Sequence, residues 1–197
     1  VFLCHPRTEV ANFFKLSDWL NMGWIALGPD GRFHATPALD ALALFATRFD
    51  GTVIEARIDG PTYDSRATGF IDAVDDVPVI DAVAARRADG SLVVVLSSAA
   101  LSESHEVTLE TGLSGVVRVS ETLLAGKAPD AHRATRIMDI PGIRFAEPAG
   151  FSDSRAFVTS TPESVPLTSR APRSVEGAVR LALPPSSVLA VEIAPDE

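Results

Sequence analysis

Cysteine, tyrosine, tryptophan and methionine are all scarce in this sequence, and so are basic residues. Cys4 stands alone, so no internal disulfide can staple the fold; beside an apolar run it reads as packing. The single tyrosine, Tyr63, and the two tryptophans, Trp19 and Trp24, are too few for a broad aromatic platform. No run of eighteen apolar residues occurs, which excludes a membrane-spanning helix. Lysine and arginine number 17 against 26 acidic residues, a formal net charge of −9, which argues against a surface that tracks nucleic-acid phosphates. No block of five like charges is present, so the acidity reads as a solvated surface. The first residue is Val1, and no basic-then-apolar segment opens the chain. The expectation is a portion of a longer polypeptide, located in the cytoplasm.

What is present is an ordinary globular composition: 197 residues, 46% hydrophobic and 22% charged. A chain of this size buries about two-thirds of its unfolded surface, so a true core is expected. VFLCHPRT reads as the end of a helix running into a loop closed by Pro6. TEVANFF, from Thr8, has the β-branched and aromatic content of a strand, although period alone leaves a helix through Trp19 and Leu20 open. WIALGPDGRFHA places two short apolar arms about Gly28-Pro29-Asp30-Gly31, a hairpin signature. Thr36 as N-cap, Pro37 at the first helical position and Gly51 beyond the end mark a helix over 37–49. Its stripe is read as Leu39, Leu42, Ala46 and Phe49, and that stripe is expected to dock on the rest of the chain.

After Gly51 the pattern changes to period two. Strands are expected at Thr52–Ile58, Val79–Arg86, Ser91–Ser97, His105–Glu110, Val116–Leu124, Ala178–Leu183 and Val188–Ile193. Asp89-Gly90 reads as a hairpin turn between two of them. Val179, Leu181 and Leu183 share one face, with Arg180 on the other; Leu189, Val191 and Ile193 form a buried row opposite Ala190 and Glu192. Such strands imply an antiparallel β-sandwich over 51–197, of Greek-key or jelly-roll type. Residues 127–175 carry few periodic runs. Local pairing around Ile137–Phe145 and partial disorder around Thr159–Ser174 are the expectations there.

Chemistry is hard to find. His5, His34, His105 and His132 stand apart, without a second metal ligand at a recognised spacing, so no metal site is expected. Asp72, Asp75 and Asp76 lack the alternation and central glycine of a calcium loop, and read as a polar turn. There is no G-x-S-x-G elbow and no phosphate loop. Acids are plentiful, but no pair is recognisable as the two carboxylates of a glycosidase.

The order of motifs nevertheless resembles the C-terminal part of the family 51 glycoside hydrolases, the α-L-arabinofuranosidases. TEVANFFKLSDW (Thr8–Trp19) is similar to that family's Ala-Asn-x-x-Gln-Leu-x-Asn, its last barrel strand. HATPALDALALFATRFDG (His34–Gly51) is similar to the helix that follows. VPVIDAVAARRADGSLVVVLSSAALSESHEVTLE (Val77–Glu110) and LPPSSVLAVEI (Leu183–Ile193) are similar to the family's Val-Pro…Asp-Gly hairpin and its closing Leu-Pro-Pro strand.

The resemblance implies a division at residue 50. Residues 1–50 would be the last βα unit of a (β/α)8 barrel, and 51–197 the C-terminal sandwich. The two catalytic glutamates would lie in the preceding barrel, outside this chain. Asn12 and Lys15 would line the sugar pocket, because active sites of this fold sit at the C-terminal ends of the strands. The implied partners are the preceding barrel portion of the same protein and arabinofuranoside-containing glycans, with no nucleic acid, no membrane, no cofactor and no metal; homo-oligomerisation stays open. Two departures bear on specificity. Lys15 stands where the family has Gln, with Asp18 for the next Asn, and Ser97-Ser98 replace Asn-Arg. Two competing readings are a carbohydrate-binding β-sandwich, which the shortage of aromatic rings disfavours, and a purely structural or oligomerising one without a ligand.

Overall fold

The computed structural model describes residues 24–27, 33–67, 72–127 and 165–196. The chain enters through a hairpin of β1 (Ile25–Leu27) and β2 (Phe33–Ala35), paired antiparallel as the glycine-rich turn implies. Helix α1 (Pro37–Arg48) follows at once. Thr36 has the extended backbone of an N-cap, its side chain makes no capping bond, and its carbonyl accepts the Asp40 N–H at 3.1 Å. Pro37 sits in the first turn, where a missing N–H costs nothing. The helix stops one residue short of the expected end, with Phe49 as C-cap in an extended conformation. Gly51 then turns the chain at φ +106°, and a Cβ there would lie 2.4 Å from the Arg86 carbonyl oxygen. Only glycine fits that approach.

The remaining strands are β3 (Thr52–Ile54), β4 (Thr62–Tyr63), β5 (Val77–Pro78), β6 (Ile80–Arg86), β7 (Leu92–Ser98), β8 (His105–Leu109), β9 (Val116–Ala125), β10 (Leu167–Glu176), β11 (Val179–Leu183) and β12 (Ser187–Pro195). Six of them form one antiparallel sheet in the order β10-β9-β12-β7-β6-β3. β8 and β11 form a second antiparallel ladder, and β4 pairs with β5 as a small hairpin. Two features differ from the sequence reading. The strand expected over Thr52–Ile58 ends at Ile54. Leu167–Ser174, expected to be partly disordered, belongs to β10, whose ladder with β9 holds it in place. The expected pairing at Ile137–Phe145 lies outside the described residues.

The turn between β6 and β7 is a three-residue loop. The Gly90 N–H donates to the Arg87 carbonyl at 3.0 Å, and Arg87 N–H donates to the Ser91 carbonyl at 2.9 Å. Gly90 sits at φ +85°, the left-handed position such a hairpin needs.

The large sheet is covered on both faces, because alternate residues of each strand point opposite ways. One face carries Ile80, Ala84, Leu92, Val94, Leu96, Val117, Val119, Leu189, Val191 and Ile193. These meet Val179, Leu181 and Leu183 of β11, with Val107 and Leu109 of β8 alongside. This is the sandwich core, and the two expected rows, Val179/Leu181/Leu183 and Leu189/Val191/Ile193, face each other within it. The other face carries Val83, Val95, Leu124 and Ala190, which pack with Leu44 of α1 and with Val165.

The stripe that docks the helix is therefore Leu44 with Ala41, Phe45 and Phe49, not Leu39/Leu42/Ala46. Leu44 is 2% exposed, whereas Leu42 is 41% exposed. The helix also explains why Ala190, on the side opposite the Leu189/Val191/Ile193 row, is buried as well. Among the described residues no helix is long and apolar enough to cross a membrane.

β11 and β12 belong to different sheets, and the turn between them makes the switch. Pro184 and Pro185 have no N–H to extend a ladder, and Ser186 takes φ +47°. The Ser186 N–H donates to the Ala100 carbonyl at 2.9 Å, and Ser187 Oγ donates to the Pro184 carbonyl at 2.6 Å. The Leu-Pro-Pro-Ser-Ser motif is thus a corner of the sandwich.

Candidate functional site

Two clusters of charged side chains stand out, one on each face of the large sheet. On the sandwich face, Glu121 of β9 occupies the position between Val119 and Leu123 in the inward row, with its side chain only 4% exposed. An unpaired carboxylate there would be costly. Arg170 Nη1 donates to its Oε2 at 2.7 Å, while Arg173 Nε and Nη2 donate to Oε1 at 3.3 and 3.1 Å. Arg173 Nη2 also donates to the Arg180 carbonyl on β11 at 2.8 Å. The β9–β10 register shifts between Arg170 and Arg173, the stretch that contains Pro172. That bulge puts both guanidinium groups on the same carboxylate.

On the helix face, Arg87 at the β6–β7 turn gathers three partners. Nη1 donates to Glu192 Oε2 of β12 at 2.8 Å, Nη2 donates to the Arg48 carbonyl at 2.8 Å, and Nε donates to Asp50 Oδ1. Arg48 Nη1 donates to the other Glu192 oxygen at 2.9 Å. The Glu192 hydrogen bond, foremost, holds the Arg87 guanidinium above its ordinary pKa against the opposing desolvation, and the Asp50 hydrogen bond adds in the same direction. One of the last carbonyls of α1, without a partner inside the helix, is capped by this arginine.

Both clusters are built to hold elements together. Each oxygen of Glu121 and of Glu192 already accepts from an arginine, so neither carboxylate is poised to act on a bound molecule. Sequence reasoning missed both. For Glu121 the signal was a lone acid in an otherwise apolar inward row, but its partners lie in a segment without a strand pattern.

The other sequence candidates do not assemble. Asn12 and Lys15 lie outside the described residues, as do His5 and His132. His105 of β8 pairs opposite Leu183 of β11 and is half-buried. Asp76, at φ +55°, donates its N–H to Asp64 Oδ1 at 3.1 Å, so Asp72–Asp76 is a polar turn at the end of the small β4–β5 hairpin. Among the described residues no group of three or more His, Cys, Asp or Glu could hold a metal ion. Ser97 and Ser98 end β7; Ser98 is buried and its Oγ accepts the Ala100 N–H at 3.3 Å, which suits a strand end.

No family model matches the sequence, and no curated protein matches it. Solved structures do match it in fold. An α-L-arabinofuranosidase from Thermotoga maritima, solved as an arabinose complex, is 18% identical with a TM-score of 0.65, over 88% of this chain and 32% of that one. The family 51 arabinofuranosidase from Xanthomonas axonopodis pv. citri is 20% identical with a TM-score of 0.59, over 87% of this chain and 29% of its own. The thermostable family 51 enzyme from Thermotoga petrophila RKU-1 is 18% identical with a TM-score of 0.59, over 87% and 31%. The chain thus spans less than a third of the length of each of these enzymes. What it shares with that third is the sandwich fold.

Proposed function

We propose that this chain is the C-terminal portion of an α-L-arabinofuranosidase-like glycoside hydrolase acting on arabinose-containing glycans. In this reading residues 1–50 supply the last strand and helix of a (β/α)8 barrel, and 51–197 form the sandwich that buttresses it. The catalytic glutamates belong to the barrel that precedes residue 1, and Asn12 and Lys15 line its sugar pocket.

The observation that carries the reading is the match of 87–88% of this chain to under a third of three arabinofuranosidases. The order of motifs in the sequence supports it independently. A glycan-binding module would need ring faces to stack sugars, and among the described large hydrophobic residues Tyr63 is the exposed aromatic.

The test compares two proteins on a nitrophenyl arabinofuranoside. The chain alone is expected to give no turnover. The polypeptide encoded together with its upstream sequence is expected to hydrolyse the substrate with retention. Turnover by the chain alone, surviving a contaminant control, would overturn the assignment. So would an upstream sequence without a barrel carrying two glutamates at the ends of its fourth and seventh strands.

A further inference from the structure

Strand β10, at the end of the large sheet, contributes little to either core. Every residue from Leu167 to Ser174 is exposed, and Val175 is half-buried. In its neighbour β9, by contrast, Val117, Val119 and Leu124 are buried. Apolar anchors stand only at the two ends of β10: Val165 on the helix side and Val175 against the sandwich core. Between these anchors the hold is polar. The ladder to β9 is interrupted between Arg170 and Arg173, and Pro172 has no N–H to give it. The hydroxyls of Ser169 and Thr122 lie 3.3 Å apart, and Ser174 Oγ donates to Asp196. The strongest contacts are the three bonds from Arg170 and Arg173 to the buried Glu121 carboxylate. A segment with few buried apolar contacts and an exposed backbone opens at a far lower free energy than the core.

We propose that Leu167–Ser174 is a latched strap: it opens locally while the rest of the sandwich stays folded, and the bonds of Arg170 and Arg173 to Glu121 hold it shut. The hinge is Gly177, at φ +81°, in the short turn from β10 into β11. Its far side is fixed, because Val179 of β11 is buried in the sandwich core. Opening gives water access to the Glu121 carboxylate and uncovers the outer edge of β9. The N–H and C=O groups freed there could pair with another extended strand, and the closed strap denies them. The strap itself is a poor template for such pairing, since a register shift, Pro172 and two arginines all disfavour it. The proposal rests on the pairing of β9 with β10 alone. It holds or fails independently of the glycosidase reading.

The test is hydrogen exchange of the full chain, corrected for intrinsic amide rates. Amides of 167–174 are expected to be at least about a hundredfold less protected than those of β7 and β12, which are central in the sheet. Equal protection would mean that β10 opens only with the whole sandwich, and would overturn the proposal. Two variants separate the strap from the core. Ile80→Val lies in the core on β6, away from β9 and β10, so it weakens the closed and strap-open forms alike. It should speed exchange in β7 and β12 about fivefold and leave 167–174 unchanged. Faster exchange in both regions by the same factor would sink the local opening. Glu121→Gln removes the charge that the two arginines hold, and should speed exchange in 167–174 about tenfold. Unchanged exchange there would show that the ion pairs are no latch. If Glu121→Gln fails to fold, Arg170→Gln, at a half-exposed position, is read in the same way.

Discussion

Arg173 joins the two sheets of the sandwich through Glu121. Its Nη2 lies 3.1 Å from the buried carboxylate on β9 and 2.8 Å from the Arg180 carbonyl on β11. One guanidinium therefore satisfies an inward-pointing acid and a backbone oxygen of the opposite layer.

Removing the carboxylate should loosen this clasp. Glu121→Ala leaves Arg170 and Arg173 facing a small void, although both are more than 40% exposed and can turn to water. That exposure places the expected loss at about 2 kcal/mol, below the cost of breaking a fully buried pair. Urea unfolding reads it directly. A midpoint equal to the parent's would mean that the ion pairs contribute nothing net.

The helix should prove sensitive at one leucine in particular. Leu44→Ala opens a cavity between α1 and the face formed by Val83, Val95, Leu124 and Ala190, and should cost about 3 kcal/mol. Thermal unfolding of the full chain checks this. A change below about 0.5 kcal/mol would show the helix docked elsewhere in solution.

Gly51 should tolerate no side chain. At φ +106°, with the Arg86 carbonyl 2.4 Å from the site of an added Cβ, Gly51→Ala must shift the helix exit or the start of β3. A loss of about 2 kcal/mol or more is expected. An equally stable alanine variant would contradict the backbone path described for this turn.

Asp89 offers a test by pH. Its carboxyl is held below the ordinary value of 3.8 mainly by the Ser91 hydroxyl, whose Oγ donates at 2.6 Å, and next by the Ser91 N–H. A lowered folded-state pKa means the stabilisation is fully present above pH 3.8 and is lost as pH falls through the lower, folded-state value. Ser91→Ala should raise the Asp89 pKa towards 3.8, visible in an NMR titration of its carboxyl carbon. No movement would mean that the hydroxyl is not the donor in solution. Arg87 behaves oppositely and without practical consequence. Its pKa is raised above the ordinary arginine value, so its contribution persists at every working pH and is lost only in strong alkali.

In the complete enzyme proposed above, Lys15→Gln should change kcat/KM on an arabinofuranoside by more than about tenfold, or about 1.4 kcal/mol of transition-state binding. A lysine presents a mobile cation where a glutamine would offer a neutral amide. Kinetics within about twofold on every glycoside tried would remove Lys15 from the pocket.

The sequence by itself determined what is local. The helix from Pro37, the hairpin at Asp89-Gly90 and the rows Val179/Leu181/Leu183 and Leu189/Val191/Ile193 follow from caps, turn residues and period two, which act over a few neighbours. Tertiary structure alone decided three things. It chose which of two apolar faces of α1 meets the sheet, because both faces carry leucine and alanine and only the packed layer tells them apart. It made a strand of Leu167–Glu176, a stretch rich in serine and arginine that β9 holds by pairing and by Glu121. It placed Glu121 and Glu192 among arginines from distant parts of the chain, since an ion pair across 52 or 105 residues leaves no periodic trace.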